Sequence, residues 1–268
     1  MKTGLIGTGN MGMAMMNGYI KAYPEEAANC YLYNIHPEKA KKLAEQTGMN
    51  FCETLAELEA ASEMVILAVE PQNFGELLPL LAKWEDKKEK LFVSCAAGVS
   101  LERMEREIGE GCRIMRLMPN TPAKVGEGMT SLSPNANCSK ADETAALHFL
   151  DSFGKARVVS EDLIGAVVGA SGSCPAYTYM YIDAVAKACE KAGMSREDAL
   201  AFTAQGVLGA AKMILETGED PAPLVDAVCS PGGATIEAVT RIKASDFYSL
   251  LDEAITACIN RSIELGKE

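Results

Sequence analysis

Histidine is scarce in this 268-residue chain, which has His36, His148 and a single tryptophan. Its cysteines (Cys30, Cys52, Cys95, Cys112, Cys138, Cys174, Cys189, Cys229 and Cys258) include no C-x-x-C pair. With so little histidine beside them, the common zinc frameworks are excluded and no metal is expected. Most of the cysteines fall within apolar runs and read instead as small buried hydrophobes of a reducing cytoplasm. Positive charge is also short: Lys and Arg number 25 against 37 Asp and Glu, a formal net charge of −12. That balance argues against a nucleic-acid surface and against an anionic membrane. No apolar run reaches the roughly 18 residues that span a bilayer. The apolar run from Thr3 reads as a strand broken by glycines, not as a leader, and no repeat or low-complexity segment stands out.

What is present is a globular composition, 48% hydrophobic and 23% charged. Strand-like runs recur at 4–6, 31–34, 64–69, 91–95 and 113–118, with helical patterns between them at 37–48, 55–61 and 101–108. The unbroken run Met64-Val65-Ile66-Leu67-Ala68-Val69 suits a strand buried on both faces. The alternation predicts an α/β fold, with a doubly wound parallel sheet over residues 1–160. Edge strands at 130–132 and 156–159 flank a helix from about Ser139 to Phe153. After Ser160 the strand signal disappears, and helices are expected at 163–192, 196–216 and 246–265 with two shorter ones between. Residues 161–268 therefore form an all-helical C-terminal domain. Its helices are rich in Ala and Gly, as in Gly206-Val207-Leu208-Gly209-Ala210-Ala211. Small residues permit close helix packing, and the surplus of apolar face fits either a subunit interface or a tight monomeric bundle.

The first strand runs into Ile6-Gly7-Thr8-Gly9-Asn10-Met11-Gly12, the spacing G-x-G-x-x-G, with a helix following from about Asn10. A glycine-rich turn can be only a turn. Between two strands of an α/β unit it fits a dinucleotide: Gly7 for the tight turn, Gly9 for approach of the pyrophosphate, Gly12 for helix–strand packing. The helix N-terminus adds free N–H groups and partial positive charge. Three more turns follow strands at the same edge of the sheet: Ala68-Val69-Glu70-Pro71, the stretch Cys95-Ala96-Ala97-Gly98, and Pro119-Asn120-Thr121-Pro122. At the end of the second strand Asn34, Ile35 and His36 stand where NAD-preferring enzymes place a carboxylate. Asn34, His36 and Lys39 can donate to a 2′-phosphate, although no arginine clamps it. NADPH is the expected cofactor, with NADH possible.

Two stretches of the helical half carry further signals. In Ser230-Pro231-Gly232-Gly233-Ala234-Thr235, Ser230 suits an N-cap and Pro231 the first helical position. Glycines there leave backbone N–H groups uncovered for a small anion such as a carboxylate. The alternative is an ordinary capped helix. In Gly169-Ala170-Ser171-Gly172-Ser173-Cys174-Pro175-Ala176-Tyr177, glycines and a proline inside a helix cost about 1 and 3 kcal/mol each, so either a kink or a site is expected.

These blocks resemble the Δ1-pyrroline-5-carboxylate reductase family along essentially the whole chain. The resemblance lies in G-x-G-x-M-G at 7–12, V-S-x-A-A-G at 93–98, M-P-N-T-P at 118–122, S-G-S-G-P-A-Y at 171–177 and S-P-G-G-x-T at 230–235. It implies NAD(P)H-dependent reduction of a cyclic imine to L-proline, and a helical domain that forms homodimers, often joined into larger rings. It also implies that Ser230, Gly232, the Gly233 and Ala234 N–H groups and Thr235 hold the substrate, with Glu161 nearby. Glu70 and Cys174 depart from the family's usual Lys and Gly, and Ile35-His36 lacks an arginine often found there. A protonated imine needs positioning and hydride delivery more than a strong acid or base. Thr235 is accordingly expected to be the catalytic residue, bonding the ring nitrogen. Two rivals remain: a β-hydroxyacid dehydrogenase, which lacks support in the absence of a G-x-x-G-x-x-x-K helix, and a nucleotide-sensing protein without turnover.

Overall fold

Eight strands alternate with helices through the first half of the chain: β1 (Thr3–Ile6), β2 (Cys30–Tyr33), β3 (Asn50–Phe51), β4 (Met64–Leu67), β5 (Leu91–Ser94), β6 (Arg113–Met118), β7 (Gly128–Pro134) and β8 (Gly154–Val158). They form one sheet in the order β3-β2-β1-β4-β5-β6-β7-β8, parallel except where β7 runs antiparallel to β6. The computed structural model describes residues 1–266.

Strands β1, β4 and β5 are buried along their full length. Successive side chains serve opposite faces: Leu5, Ile66 and Val93 join one core with Met15, Phe149 and Phe153. Ile6, Val65 and Phe92 join the other with Phe74, Leu78 and Trp84. This period of two, carried by strands apolar at every position, requires helices on both sides of the sheet. They are α1 (Asn10–Ala22), α2 (Pro37–Thr47), α3 (Leu55–Ala61), α4 (Phe74–Leu81), α5 (Leu101–Ile108) and α6 (Lys140–Leu150).

Local chemistry fixes several helix ends. Thr54 caps α3 and Ser100 caps α5, each hydroxyl accepting a backbone N–H at 3.2 Å. Gly48, at φ +76°, closes α2. Ser139 and Asp142 exchange bonds in a capping box at the start of α6. Burial works against the charge on Asp142, but its bonds from Ser139 and the Arg113 guanidinium at 2.6 Å outweigh it and hold the carboxyl below its usual range.

After β8 every element is helical. A 3₁₀ turn (Glu161–Leu163) leads through α7 (Ile164–Val167) and a π turn (Val168–Gly172) into α8 (Cys174–Lys191). The expected interrupted helix over 163–192 is thus several pieces. Pro175 lies in the first turn of α8, where its missing N–H removes no helical bond, so the mid-helix cost does not arise. Then follow α9 (Arg196–Thr217), α10 (Pro221–Val228), α11 (Ala234–Lys243) and α12 (Phe247–Leu265).

The chain divides into two compact units, Met1–Ser173 with the chain from Cys258 onward, and Cys174–Ala257. This division falls later than the change of composition near residue 160, because the 3₁₀, α7 and π segments pack with the sheet-bearing unit. Gly165, for example, lies against Ile263 in that unit, and an added Cβ would come within 2.9 Å of it. In the second unit α8 and α9 form a hairpin. Arg196 bridges Asp183 at 2.6 Å and Glu190 at 3.0 Å, and Ser195 caps α9. Of its described residues only Ala186 and Ala199 are buried apolar side chains. Nothing lies within 4 Å of the Cβ positions of Gly206 and Gly209, so the small-residue face of α9 is uncovered within the chain.

Candidate functional site

In the sheet, β1 leads outward to β2 and β3, whereas β4 leads the other way to β5 and β6. The ends of β1 and β4 therefore flank a topological switch point, where open α/β sheets bind ligands. The glycine turn lies there. Gly7 has φ +98°, and an added Cβ would sit 2.7 Å from the Ala68 carbonyl oxygen. At Gly12 the added carbon would lie 2.6 Å from the Gly7 carbonyl oxygen, so α1 closes directly on the turn. Gly9 differs: its nearest such neighbour is 4.0 Å away, and it caps α1 with the first-turn N–H groups beyond it. A tight turn, a close helix and an open middle glycine make a cradle that fits a pyrophosphate.

A crevice of ≈ 370 Å³ opens beside this cradle. It is lined by Ile6, Gly7, Thr8, Gly9, Asn34, His36, Ala68, Val69 and Glu70, nine of the residues expected to hold a cofactor. Asn34 Nδ2 donates to Thr8 Oγ1, and Asn34 Oδ1 accepts the His36 N–H at 2.9 Å, so the amide joins the glycine turn to the end of β2. Glu70 Oε2 accepts from Gln72 at 2.6 Å. Lys39 also faces the crevice, as do Leu55, Glu76, Leu77 and Leu80. The α4 residues Glu76, Leu77 and Leu80 escaped the sequence reading because that helix was not identified; the apolar run Leu77-Leu78-Pro79-Leu80-Leu81 was the available signal.

Other expected cofactor residues lie outside that crevice. Asn10 lines a separate cavity of ≈ 510 Å³. Met11 packs against the sheet core, Gly12 is buried, and Pro71 opens a short 3₁₀ turn. After β5, Ala96 is buried and Ala97 exposed. Cys95 donates to the Leu67 carbonyl at 3.5 Å, and burial pushes its thiol up to about 12, so it is no thiolate at neutral pH. Asn120 is buried with both ends of its amide occupied: Nδ2 donates to the Ser171 carbonyl at 3.1 Å and Oδ1 accepts the Met129 N–H at 2.9 Å.

In the helical unit, the 230–235 stretch corrects two expectations. Ser230 is not the N-cap and Pro231 is not the first helical residue: α11 starts at Ala234, with Gly233 as its cap. The glycines cause the shift, because Gly232 takes φ +72° and folds the chain into a turn in which the Gly233 N–H donates to the Ser230 carbonyl at 3.0 Å. The Gly233 N–H is therefore occupied. The uncommitted donors are the first-turn N–H groups of Ala234, Thr235 and Ile236. Ser230, Gly232, Ala234 and Thr235 are exposed.

Glu161 opens the 3₁₀ turn after β8. Its Oε1 accepts the Leu101 N–H at 2.9 Å and meets Arg116 Nη1 at 2.8 Å.

A glycine cradle at the switch point of a parallel sheet, followed by a helical region, defines a two-part dinucleotide-dependent oxidoreductase. Residues 2–98 match the family described as NADP oxidoreductase, coenzyme F420-dependent, and residues 161–265 match the one described as pyrroline-5-carboxylate reductase dimerisation. The pyrroline-5-carboxylate reductase of Escherichia coli K12 is 42% identical, over 99% of this chain and 98% of its own length. That of Methanosarcina acetivorans is 39% identical over 100% and 98%. Among solved structures, a pyrroline-5-carboxylate reductase from Coxiella burnetii superposes with a TM-score of 0.93, at 32% identity and covering 100% and 99% of the two chains. The Plasmodium falciparum enzyme with NADP bound gives 0.86 at 26% identity, covering 99% and 98%. The chain belongs to the pyrroline-5-carboxylate reductase family.

Proposed function

We infer that this protein reduces the cyclic imine 1-pyrroline-5-carboxylate to L-proline, the last step of proline biosynthesis, using NAD(P)H in the cytoplasm. The observation that carries the reading is the Gly7–Gly9–Gly12 cradle at the switch point of a chain 42% identical, end to end, to a reductase of this name. Gly7, Thr8 and Gly9 hold the pyrophosphate with the first-turn N–H groups of Asn10 and Met11, Gly12 letting α1 close on the turn, and Asn34, His36 and Lys39 face the adenosine ribose. With no carboxylate at the end of β2 to repel a 2′-phosphate, NADPH is the favoured cofactor and NADH a second one. Ala68 to Pro71 and Cys95 to Ala97 line the remaining path. When bound, the reduced nicotinamide supplies the hydride.

The rest of the work falls to this chain's own groups. The substrate carboxylate docks on the first-turn N–H groups of α11, with Ser230, Gly232 and Gly233 shaping the turn before it; each charge-assisted bond contributes about 1.5–3 kcal/mol. Thr235 bonds the ring nitrogen and fixes which face of the imine carbon is presented. The resemblance to the family also assigns Glu161 to the substrate. The helical region, residues 161–268, joins two copies into a homodimer, and pairing of dimers into a larger ring is open to the same surface.

Following NADPH absorbance with pyrroline-5-carboxylate, against a 3-hydroxy acid with NADP, tests the activity. Oxidation of NADPH with the imine alone is expected. Cofactor binding without turnover on either substrate would instead leave a nucleotide sensor. In the Thr235→Ala protein, turnover is expected to fall about 10²-fold with little change in NADPH affinity; near-normal rates would remove Thr235 from the chemistry.

A further inference from the structure

Strand β6 and the loop after it fasten the segment that opens the helical region. Asn120 ties the loop to Ser171, and Arg116 ties β6 to Glu161. The second of these contacts is lopsided. Both donors to the Glu161 carboxylate, Arg116 Nη1 at 2.8 Å and the Leu101 N–H at 2.9 Å, converge on Oε1. Among the described residues no donor reaches Oε2.

Arginine–carboxylate pairs are frequently bidentate, with two parallel N–H···O bonds. Here two donors from two different elements, β6 and the start of α5, fix one oxygen and so set the plane of the carboxylate. The other oxygen is left as an oriented acceptor. The exposures agree: the Arg116 side chain is 11% exposed and that of Glu161 27%, so the cation lies inward and the carboxylate borders solvent. A guanidinium so enclosed needs its partner, which keeps the pair together.

We propose that Arg116 is a positioning residue for imine reduction, holding Glu161 Oε1 so that the unengaged Oε2 offers its negative charge to the protonated imine. This rests on the reading of Glu161 as a substrate group given above. Arg116 touches neither substrate nor cofactor; it acts through the carboxylate.

The test measures KM and kcat for the imine, the NADPH dissociation constant and thermal stability in Glu161→Gln, Arg116→Gln, Arg116→Lys and the Arg116→Gln/Glu161→Gln double variant. Glu161→Gln and Arg116→Gln are each expected to raise KM about tenfold, with NADPH affinity kept within about twofold. Arg116→Lys, which keeps the charge but not the reach of the fork, is expected to raise it about threefold. The double variant is expected to be no worse than Glu161→Gln alone, because the arginine has nothing left to orient. Independent, multiplying effects would overturn the proposal. So would an unchanged KM in Arg116→Gln beside a raised KM in Glu161→Gln, an outcome that leaves the reading of Glu161 standing. An unchanged KM in Glu161→Gln removes that reading and the proposal together. Should Arg116→Gln fail to fold, Arg116→Lys decides alone, and an unchanged KM there overturns the role of Arg116.

Discussion

The sheet-bearing unit and the helical unit draw on the same aliphatic side chains and close them differently. Through the first, Leu5, Ile66, Phe92, Met115 and Phe149 are all but inaccessible. In the second, Met180, Phe202, Leu215 and Tyr248 stand 73%, 71%, 84% and 66% exposed. Isolated apolar residues on a surface need no explanation, but a run of them on adjacent helices with an open glycine face marks an interface. One unit completes its core from its own chain. The other, whose family description is dimerisation, keeps its apolar area for another copy.

The largest test of that contrast is Phe92→Ala. It is expected to cost about 3–5 kcal/mol in the sheet-bearing unit at any protein concentration, read by denaturant unfolding. Leu215→Asp should do the opposite. It is expected to weaken subunit association about a hundredfold, roughly 2.7 kcal/mol, while leaving NADPH binding intact. Light scattering on dilution, with thermal scans at several concentrations, distinguishes this from unfolding. A Leu215→Asp protein still dimeric at nanomolar concentration would place the interface elsewhere.

Asp142 supplies a smaller and pH-dependent difference. Its carboxyl is held below the ordinary range in the folded unit. The stability this adds is therefore fully present above the unfolded value of about 4 and is lost as pH falls through the lower folded value. Asp142→Asn is expected to cost about 1–3 kcal/mol at pH 7 and to flatten the loss of stability in acid, measured by urea unfolding from pH 7 to pH 3. The smallest expected effect is on cofactor choice. Asn34→Ala should change the NADPH to NADH ratio of kcat/KM severalfold, within about 1 kcal/mol, because it removes a donor and also the tie to Thr8. An unchanged ratio would take Asn34 out of the specificity site.

The legible parts of the fold were those with long enough period or explicit punctuation. Strands β2 and β6, and helices α3 and α5, lie where their apolar spacing puts them. Strand β3 escaped because two residues, Asn50–Phe51, cannot display a period. The N-cap of α11 was misassigned because Ser-Pro is a strong local start signal, whereas the turn at Gly232 and Gly233 wins by closing its own hydrogen bond. The glycine cradle was readable because the strain at Gly7 and the close contact at Gly12 admit no side chain. The bonds occupying Asn120 and Glu161 were not, since a polar residue in a turn carries no mark of which distant backbone group it will meet.

By itself the amino-acid order settled a doubly wound sheet, a helical region after it, and a turn shaped for a dinucleotide, because these depend on local periodicity and on where a Cβ is forbidden. Tertiary structure alone decided that both donors to Glu161 converge on one oxygen and that the apolar faces of α8 and α9 remain open. Such outcomes depend on which residues meet across tens of positions of chain, and hydrophobicity along a sequence records that a face wants cover without recording what covers it.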